Sequence, residues 1–179
     1  ASWRGQAGDS TGAVAAFEEL LPLYEEMLGP KHPDTLTTRN NLASWRGQAG
    51  DFTGAAAAFE HLLPLYEEML GPKHPDTLTT RNNLASWRGE AGDPAGAVAA
   101  FEELLPLRVE VLGPKHPHTL TTRSNLASWR GRAGDPAGAV AAFEELLPPY
   151  EEVLGPKHPD TLTTRHNLVY WRTKANERT

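Results

Sequence analysis

The chain has 179 residues, 17 lysines and arginines against 23 aspartates and glutamates, a formal net charge of −6, 39% hydrophobic residues and no cysteine. This length suits one compact domain or a short array, and the apolar content is enough for a folded chain with a thin core. The lack of cysteine excludes disulfides and cysteine metal sites and allows the cytoplasmic location that we expect. The negative charge argues against nucleic-acid binding by the whole surface, and the apolar runs are too short to span a membrane.

A period of 42 residues runs through the whole sequence. It places the tryptophans at Trp3, Trp45, Trp87, Trp129 and Trp171. The motif Gly-Pro-Lys-His-Pro recurs with the same spacing from Gly29 onward. A period between about 20 and 50 residues is typical of a tandem array. We therefore expect a single array over 1–179, with repeats at approximately 1–42, 43–84, 85–126 and 127–168 and a C-terminal capping helix at 159–179.

One unit of this array predicts two helices, which we call helix A and helix B. Helix A begins at Pro33, because proline suits the first turn of a helix, and it ends at Gly50, which suits a C-terminal cap. Helix B begins after Asp51, a typical N-cap, and ends before Gly71. The apolar stripe of helix B consists of Ala55, Phe59, Leu62, Tyr66, Met69 and Leu70. No alternating strand pattern appears, so the sequence predicts an all-α array of antiparallel helix pairs.

Pro64 conflicts with a long helix B, because a proline inside a helix removes a hydrogen bond and costs about 3 kcal/mol. Helix B either bends at Pro64 or ends there. We expect a bend, since the apolar spacing continues beyond the proline to Leu70. Pro22, Pro106 and Pro148 recur in register, and the pair Pro148-Pro149 makes the last copy the weakest prediction.

The two ends of the chain depart from the repeat. Ala1 corresponds to Ala43, so the sequence opens in the middle of a helix A, and we expect an upstream part in the parent protein. Residues 169–176 replace the usual end of helix A and its glycines. We expect a more polar final helix there that closes the array.

These residues resemble the tetratricopeptide repeats, in the 42-residue form of kinesin light chains and of arrays in actinobacterial and fungal proteins. The resemblance spans the whole chain, and the family positions are met by Leu42, Ala43, Ala55 and Phe59, whereas its two aromatic positions carry Arg39 and Arg46. The stretches from Gly29 to Leu36 and from Asn40 to Ala43 are similar to the kinesin-light-chain type. The resemblance implies a TPR-like α-solenoid, a right-handed superhelix of helical hairpins with helix A on its concave side.

The same resemblance implies that polar side chains of helix A contact a partner in the concave groove, and asparagine is suited to this because its amide both donates and accepts. With Thr37, the expected groove residues are Asn40, Asn41, Ser44, Gln48, Asn82, Asn83, Ser86, Glu90, Ser124, Asn125, Ser128 and Arg132. Two of these positions vary between copies while the core positions hardly change. That variation fits either tuning for a ligand or drift on a solvated face.

The arginines of helix A allow two interpretations. They could make the concave side basic, so that it attracts an acidic peptide or a chain-terminal carboxylate. Alternatively, Arg39 and Arg46 could form ion pairs with glutamates of neighbouring helices B, which is the interpretation that we favour. Trp45 and its equivalents could likewise stack on a peptide, but their helical spacing favours a place in the core.

No catalytic or metal-binding pattern is evident. The loop histidines His32, His74, His116, His118 and His158 occur at separate loops, which does not favour a metal site. We therefore expect no enzyme, no metal and no cofactor, and a module that binds a partner protein or peptide, with an acidic peptide among the candidates, as the sensor or adaptor arm of a larger protein. Two alternatives remain open: a self-assembling solenoid that stacks head to tail, and an intramolecular regulatory arm of an upstream NTPase.

Overall fold

A computed structural model describes residues 10–177, and over these residues the chain forms eight α-helices and no strand. The structure divides into two compact units, residues 1–91 and 92–179. Unit 1 holds α1 (Ser10–Leu28), α2 (Pro33–Gln48), α3 (Phe52–Leu70) and α4 (Pro75–Glu90). Unit 2 holds α5 (Pro94–Leu112), α6 (Pro117–Arg132), α7 (Pro136–Leu154) and α8 (Pro159–Asn176). The all-α prediction is confirmed, while Trp3 and the expected partial helix around it lie outside the described residues.

The odd-numbered helices are copies of helix B and the even-numbered ones are copies of helix A. Within each unit, helices that follow one another in the chain pack together. Both ends of α3 agree with the sequence prediction. The Asp51 side chain accepts a hydrogen bond from the Gly54 amide at 2.8 Å at the start of the helix, and Gly71 ends the helix with φ +90°. Gly50, after α2, also has a positive φ, a conformation in which glycine avoids the strain of a Cβ.

The loop histidines cap the A helices, a role that the sequence analysis missed. In α2 the His32 Nδ1 accepts a hydrogen bond from the Asp34 amide at 3.2 Å, and Pro33 follows as the first helical residue. The other described A helices begin with the same arrangement, at His74, His116 and His158. These imidazoles satisfy an amide that the helix itself cannot pair.

The B helices run through their internal prolines without a break. The helix α3 continues from Phe52 to Leu70 past Pro64, so the possibility that helix B ends early is excluded. Buried side chains lie on both sides of the proline, Phe59 and Leu62 before it and Tyr66 after it. Burial of such a side chain contributes about 1.5–3 kcal/mol, so together they offset the cost of the proline.

Each unit has its own core, in which helix B covers the helices A beside it. In unit 1, Phe59 and Leu62 pack with Leu36 and Ala43. In unit 2 the equivalent positions, 84 residues on, form a cluster that includes Phe143, Leu146, Leu120 and Ala127. Two residues of the expected stripe differ from the prediction: Met69 and Leu70 lie in the last turn of α3, and both are exposed.

The tryptophans belong to the core, as expected, although to different degrees. Trp129 and Trp171 are buried, whereas Trp45 and Trp87 are half-buried. Trp87 packs directly over Gly47 of the preceding helix A, where a Cβ on the glycine would lie 2.7 Å from the ring. Trp171 packs over Gly131 in the same way. These glycines are therefore needed for close approach of neighbouring A helices.

The last described helix, α8, exposes apolar side chains, and its expected role as a cap stays a prediction. In α8, Leu162, Val169 and Tyr170 are 50%, 62% and 47% exposed. The equivalents of Leu162 inside the units, Leu36 and Leu120, are buried under a following helix B. Val169 and Tyr170 stand where the other copies have alanine and serine, so these substitutions make the exposed face of α8 more apolar. None of the described helices is long and apolar enough to cross a membrane.

Candidate partner-binding site

The helix α2 carries polar and apolar positions on different faces. With 3.6 residues per turn, Thr37, Asn40, Ser44 and Gln48 share one side, and Arg39, Leu42 and Arg46 share the opposite side. Each of the two faces lines a separate cavity in unit 1. The predicted groove residues lie on the first of these two faces.

A cavity of about 190 Å³, which we call the polar cavity, contains two of the predicted residues, Thr37 and Asn40. Its other lining residues are Tyr66 of α3 and Asp76 and Thr79 of α4, none of which the sequence analysis had assigned to a site. Three consecutive helices thus contribute hydroxyl, amide and carboxylate groups to one opening. Such a lining can hydrogen-bond to both the donors and the acceptors of an extended peptide.

Burial raises the pKa of Tyr66 above its ordinary value, and the nearby Asp76 carboxylate acts in the same direction, while a hydrogen bond with Thr37 opposes them. The phenol is therefore neutral at physiological pH and can donate. In unit 2 the pKa of Tyr150 is raised mainly by burial, and its hydroxyl is close to Thr121, Ser124 and Thr164. The predicted residue Ser124 thus takes part in the equivalent arrangement.

The third copy carries different charges at this position. Arg108 stands where the other copies have tyrosine, and His118 stands where they have aspartate. Arg108 is 2% exposed, and burial lowers its pKa. The pKa of His118 is also lowered, first by burial and then by the charges of Arg108 and His116. The lowered pKa leaves His118 neutral at physiological pH, so Arg108 supplies the positive charge of this pair.

The remaining predicted groove residues do not line the polar cavity. Ser86 donates its hydroxyl to the Asn82 carbonyl at 3.0 Å, within its own helix. The Arg132 guanidinium lies 4.6 Å from the centre of the Trp129 ring. Half-buried or exposed positions are occupied by Asn41, Ser44, Gln48, Asn83, Glu90, Asn125 and Ser128.

The helix A arginines form the ion pairs that we favoured. Arg39 contacts Glu25 at 2.6 Å and Arg46 contacts Glu18 at 2.7 Å, both across the hairpin of α1 and α2. The same pattern recurs in the other hairpins, for example between Arg88 and Glu60. These contacts replace the aromatic packing of the resembling family with charge pairs.

The two histidine rings of the third copy stack on each other. The rings of His116 and His118 lie 5.4 Å apart at an angle of 27°, and the His116 Nδ1 is engaged with the His118 amide. Within residues 10–177, no group of three or more histidine, aspartate or glutamate side chains is placed to hold a metal ion.

The chain is similar in sequence and in structure to known repeat proteins. The family model described as tetratricopeptide repeat matches residues 1–68, 55–108 and 95–151. Two crystal structures of a Podosopora anserina putative kinesin light chain with nearly identical TPR-like repeats are similar at TM-scores of 0.79 and 0.78, with 23% identity over 99% of this chain and 84% of theirs. The structure of BtubC (BKLC) from P. vanneervenii is similar at 0.76, with 22% identity over 97% and 69% of the two chains. No protein with a curated description matches the sequence. These structures confirm the TPR-like solenoid fold class.

Proposed function

Since the chain belongs to the tetratricopeptide repeat family, whose repeats are generally protein–protein interaction modules, we propose that it binds a partner protein or peptide through the polar cavity. The polar cavity carries the proposal, because it gathers Thr37 and Asn40 with Tyr66, Asp76 and Thr79 from three helices. Binding would then rest on hydrogen bonds to an extended segment and on a rigid surface. We expect no chemical step.

The charge of the polar cavity suggests what it would bind. Asp76 favours a donor or a basic group there. A partner segment that places such a group beside Asp76 is the finer form of the proposal, and the acidic peptide expected from the sequence stays a prediction.

Selection of random 12-residue peptides displayed on phage tests this proposal. We expect enriched peptides to bind the wild-type chain at least about tenfold more tightly than the Asn40→Ala or Thr79→Ala variant, because each variant removes hydrogen bonds to the ligand. Glu26→Ala, at an exposed position of α1 outside the polar cavity, is the matched control and should bind normally. No enrichment, or enriched peptides that ignore both substitutions, would contradict the proposal.

The apolar outer face of α8 supports end-to-end self-association as a second candidate function. Val169 and Tyr170 replace the alanine and serine of the other copies and are largely exposed, so a second copy could bury them. Static light scattering should show a mass that rises with concentration for the wild type and a constant monomer mass for Val169→Ala/Tyr170→Ser. A constant monomer mass for both proteins would remove this candidate.

The role of the chain in a larger protein is a separate proposal. We propose a sensor or adaptor arm, with an intramolecular regulatory arm of an upstream NTPase as the alternative. The coding sequence upstream of Ala1 tests this role, since a phosphate-binding loop with a switch-type ATPase pattern favours the sensor arm of a signalling protein and further repeats alone favour a free-standing adaptor.

A further inference from the structure

The imidazole that caps each A helix does so only in its neutral form. At the start of α4, the His74 Nδ1 accepts from the Asp76 amide at 3.2 Å, and the Asp76 carboxylate lies 3.7 Å from the same nitrogen. An imidazole that has taken up a proton donates from both nitrogens and can no longer accept this hydrogen bond. The carboxylate then offers an ion pair in its place. The same arrangement of histidine and aspartate recurs at the starts of α2 and α8.

The third copy replaces the carboxylate of this arrangement with a second imidazole. At the start of α6, the His116 Nδ1 accepts from the amide of His118, which stands at the position of Asp76. The two rings lie 5.4 Å apart. A proton on either ring therefore places a positive charge beside another imidazole and not beside a carboxylate. The N-terminus of a helix also carries the positive end of the helix dipole, so a cation is unfavourable there.

The neighbouring helix α5 adds positive charge at the same place. Arg108 and Val109 stand where α3 has Tyr66 and Glu67, so α5 brings one positive charge more and one negative charge fewer. Arg108 is buried, and the pKa of His118 is lowered first by burial and then by the charge of Arg108. Uptake of a proton by the third copy is therefore opposed by its surroundings in the folded state.

The carboxylates that lie near the start of α6 in unit 2 are engaged with other groups. Glu152 of α7 pairs with Lys115 at 2.7 Å. Asp160 of α8 lies beside the cap of its own helix. Glu110, near the end of α5, has a contact of its own. These carboxylates are thus not placed to form a new ion pair with a protonated cap of α6.

The first turn of α6 connects this cap to the core of unit 2. Thr119 is buried and donates its hydroxyl to the Arg108 carbonyl at 3.3 Å. Leu120 belongs to the core cluster with Phe143 and Tyr150. Opening of this turn would therefore disturb the contacts of α6 with both α5 and α7.

We propose that the start of α6 is an acid-sensitive element of the fold, which opens when His116 and His118 take up protons while the aspartates keep α2, α4 and α8 capped. The sign follows from linkage. The two imidazoles bind protons more readily in the opened turn than in the folded one, so a fall in pH favours the open form.

Hydrogen exchange of the full 179-residue chain at pH 7.5 and pH 5.0, followed by mass spectrometry and corrected for the intrinsic effect of pH, tests this proposal. The amides of 118–122 are compared with those of 76–80 and 160–164, which have the same sequence except for aspartate at the first position. Most carboxylates stay ionised in this range of pH, whereas histidines titrate.

We expect protection of 118–122 to fall at least about tenfold at pH 5.0. In the opened turn an imidazole with an ordinary pKa of about 6.5 is then about 30-fold more often protonated than neutral. Protection of 76–80 and 160–164 should change by less than about threefold. Equal changes in the three stretches would overturn the proposal.

The repeats supply two matched variants. His118→Asp installs the residue of the other copies, so it should fold normally, which far-ultraviolet circular dichroism checks, and protection of 118–122 should then change by less than about threefold. Asp76→His should make 76–80 lose at least about threefold in protection, and less than 118–122 in the wild type because α3 keeps Tyr66 and Glu67. A wild-type response in His118→Asp, or no response in Asp76→His, would contradict the proposal. The measurement needs no partner, so its result does not depend on the proposed function.

Discussion

Replacement of Gly131 by alanine tests the packing between A helices. In unit 2 the Gly131 Cα lies so close to Trp171 that an added Cβ would be 2.6 Å from two carbons of the indole ring. Carbon atoms in favourable contact are about 3.5–4.0 Å apart, so the ring must retreat by about 1 Å. Trp171 cannot move freely, because it is buried in the core cluster with Phe143 and Leu168.

Two effects of opposite sign determine how much Gly131→Ala changes the free energy of unfolding. Overpacking of a filled core costs about 1–3 kcal/mol. Alanine in place of glycine inside a helix contributes about 0.5–1 kcal/mol in the other direction. Gly131→Ala should therefore lower the free energy of unfolding by up to about 2.5 kcal/mol, with a central value of about 1 kcal/mol.

Urea denaturation, followed by circular dichroism, measures this change as a shift in midpoint with an unchanged slope. Trp171→Leu provides the matched background, because a smaller side chain leaves room for the new methyl group. There Gly131→Ala should stabilise the protein by about 0.5–1 kcal/mol, so that the double-mutant cycle reports the contact itself. If alanine changes stability by the same amount in both backgrounds, the close approach of Trp171 to Gly131 is refuted.

Three further predictions concern capping, titration and ion pairs. Asp51→Ala should destabilise the chain by about 1 kcal/mol in urea denaturation, because it removes the side chain that caps α3, whereas Asp51→Asn should keep most of the stability. Burial raises the pKa of Tyr66 and Tyr150 above 10.0, so the folded state holds these protons longer than the unfolded state. The contribution of these two tyrosines to the free energy of unfolding should be fully present below pH 10 and should be lost as the pH rises through the raised pKa values. Phenylalanine at both positions should remove that part of the loss of stability at high pH. Arg46→Ala should lower the free energy of unfolding by less than about 1 kcal/mol in 0.1 M salt and by still less in 1 M salt, because the ion pair with Glu18 is half-exposed. A loss of several kcal/mol would contradict this.

The helices and their ends were predictable because the signals are local. Pro33, Gly50 and Asp51 act through the backbone within one turn, and the structure places the helix ends beside them. The same reasoning assigned the loop histidines no role, although His32 caps α2. Histidine is not among the usual N-cap residues, so its acceptor nitrogen became evident only from the geometry.

The site was predictable only in part. Thr37 and Asn40 were assigned to a groove from the family resemblance, but Tyr66, Asp76 and Thr79 were not, because three separate helices bring them together. One signal was present in the sequence: the third copy changes tyrosine to arginine and aspartate to histidine at two positions ten residues apart. Paired changes of charge between repeats indicate contact.

The sequence by itself determined the period, the helix ends and most of the positions that face a core, since these depend on spacing and on backbone chemistry within one repeat. Only the tertiary structure decided which neighbour each face meets. It set Trp171 against Gly131, paired Arg39 with Glu25 and left Val169 of α8 exposed. The same repeat residues can be covered or exposed, because burial depends on the helix packed alongside and not on the residue type.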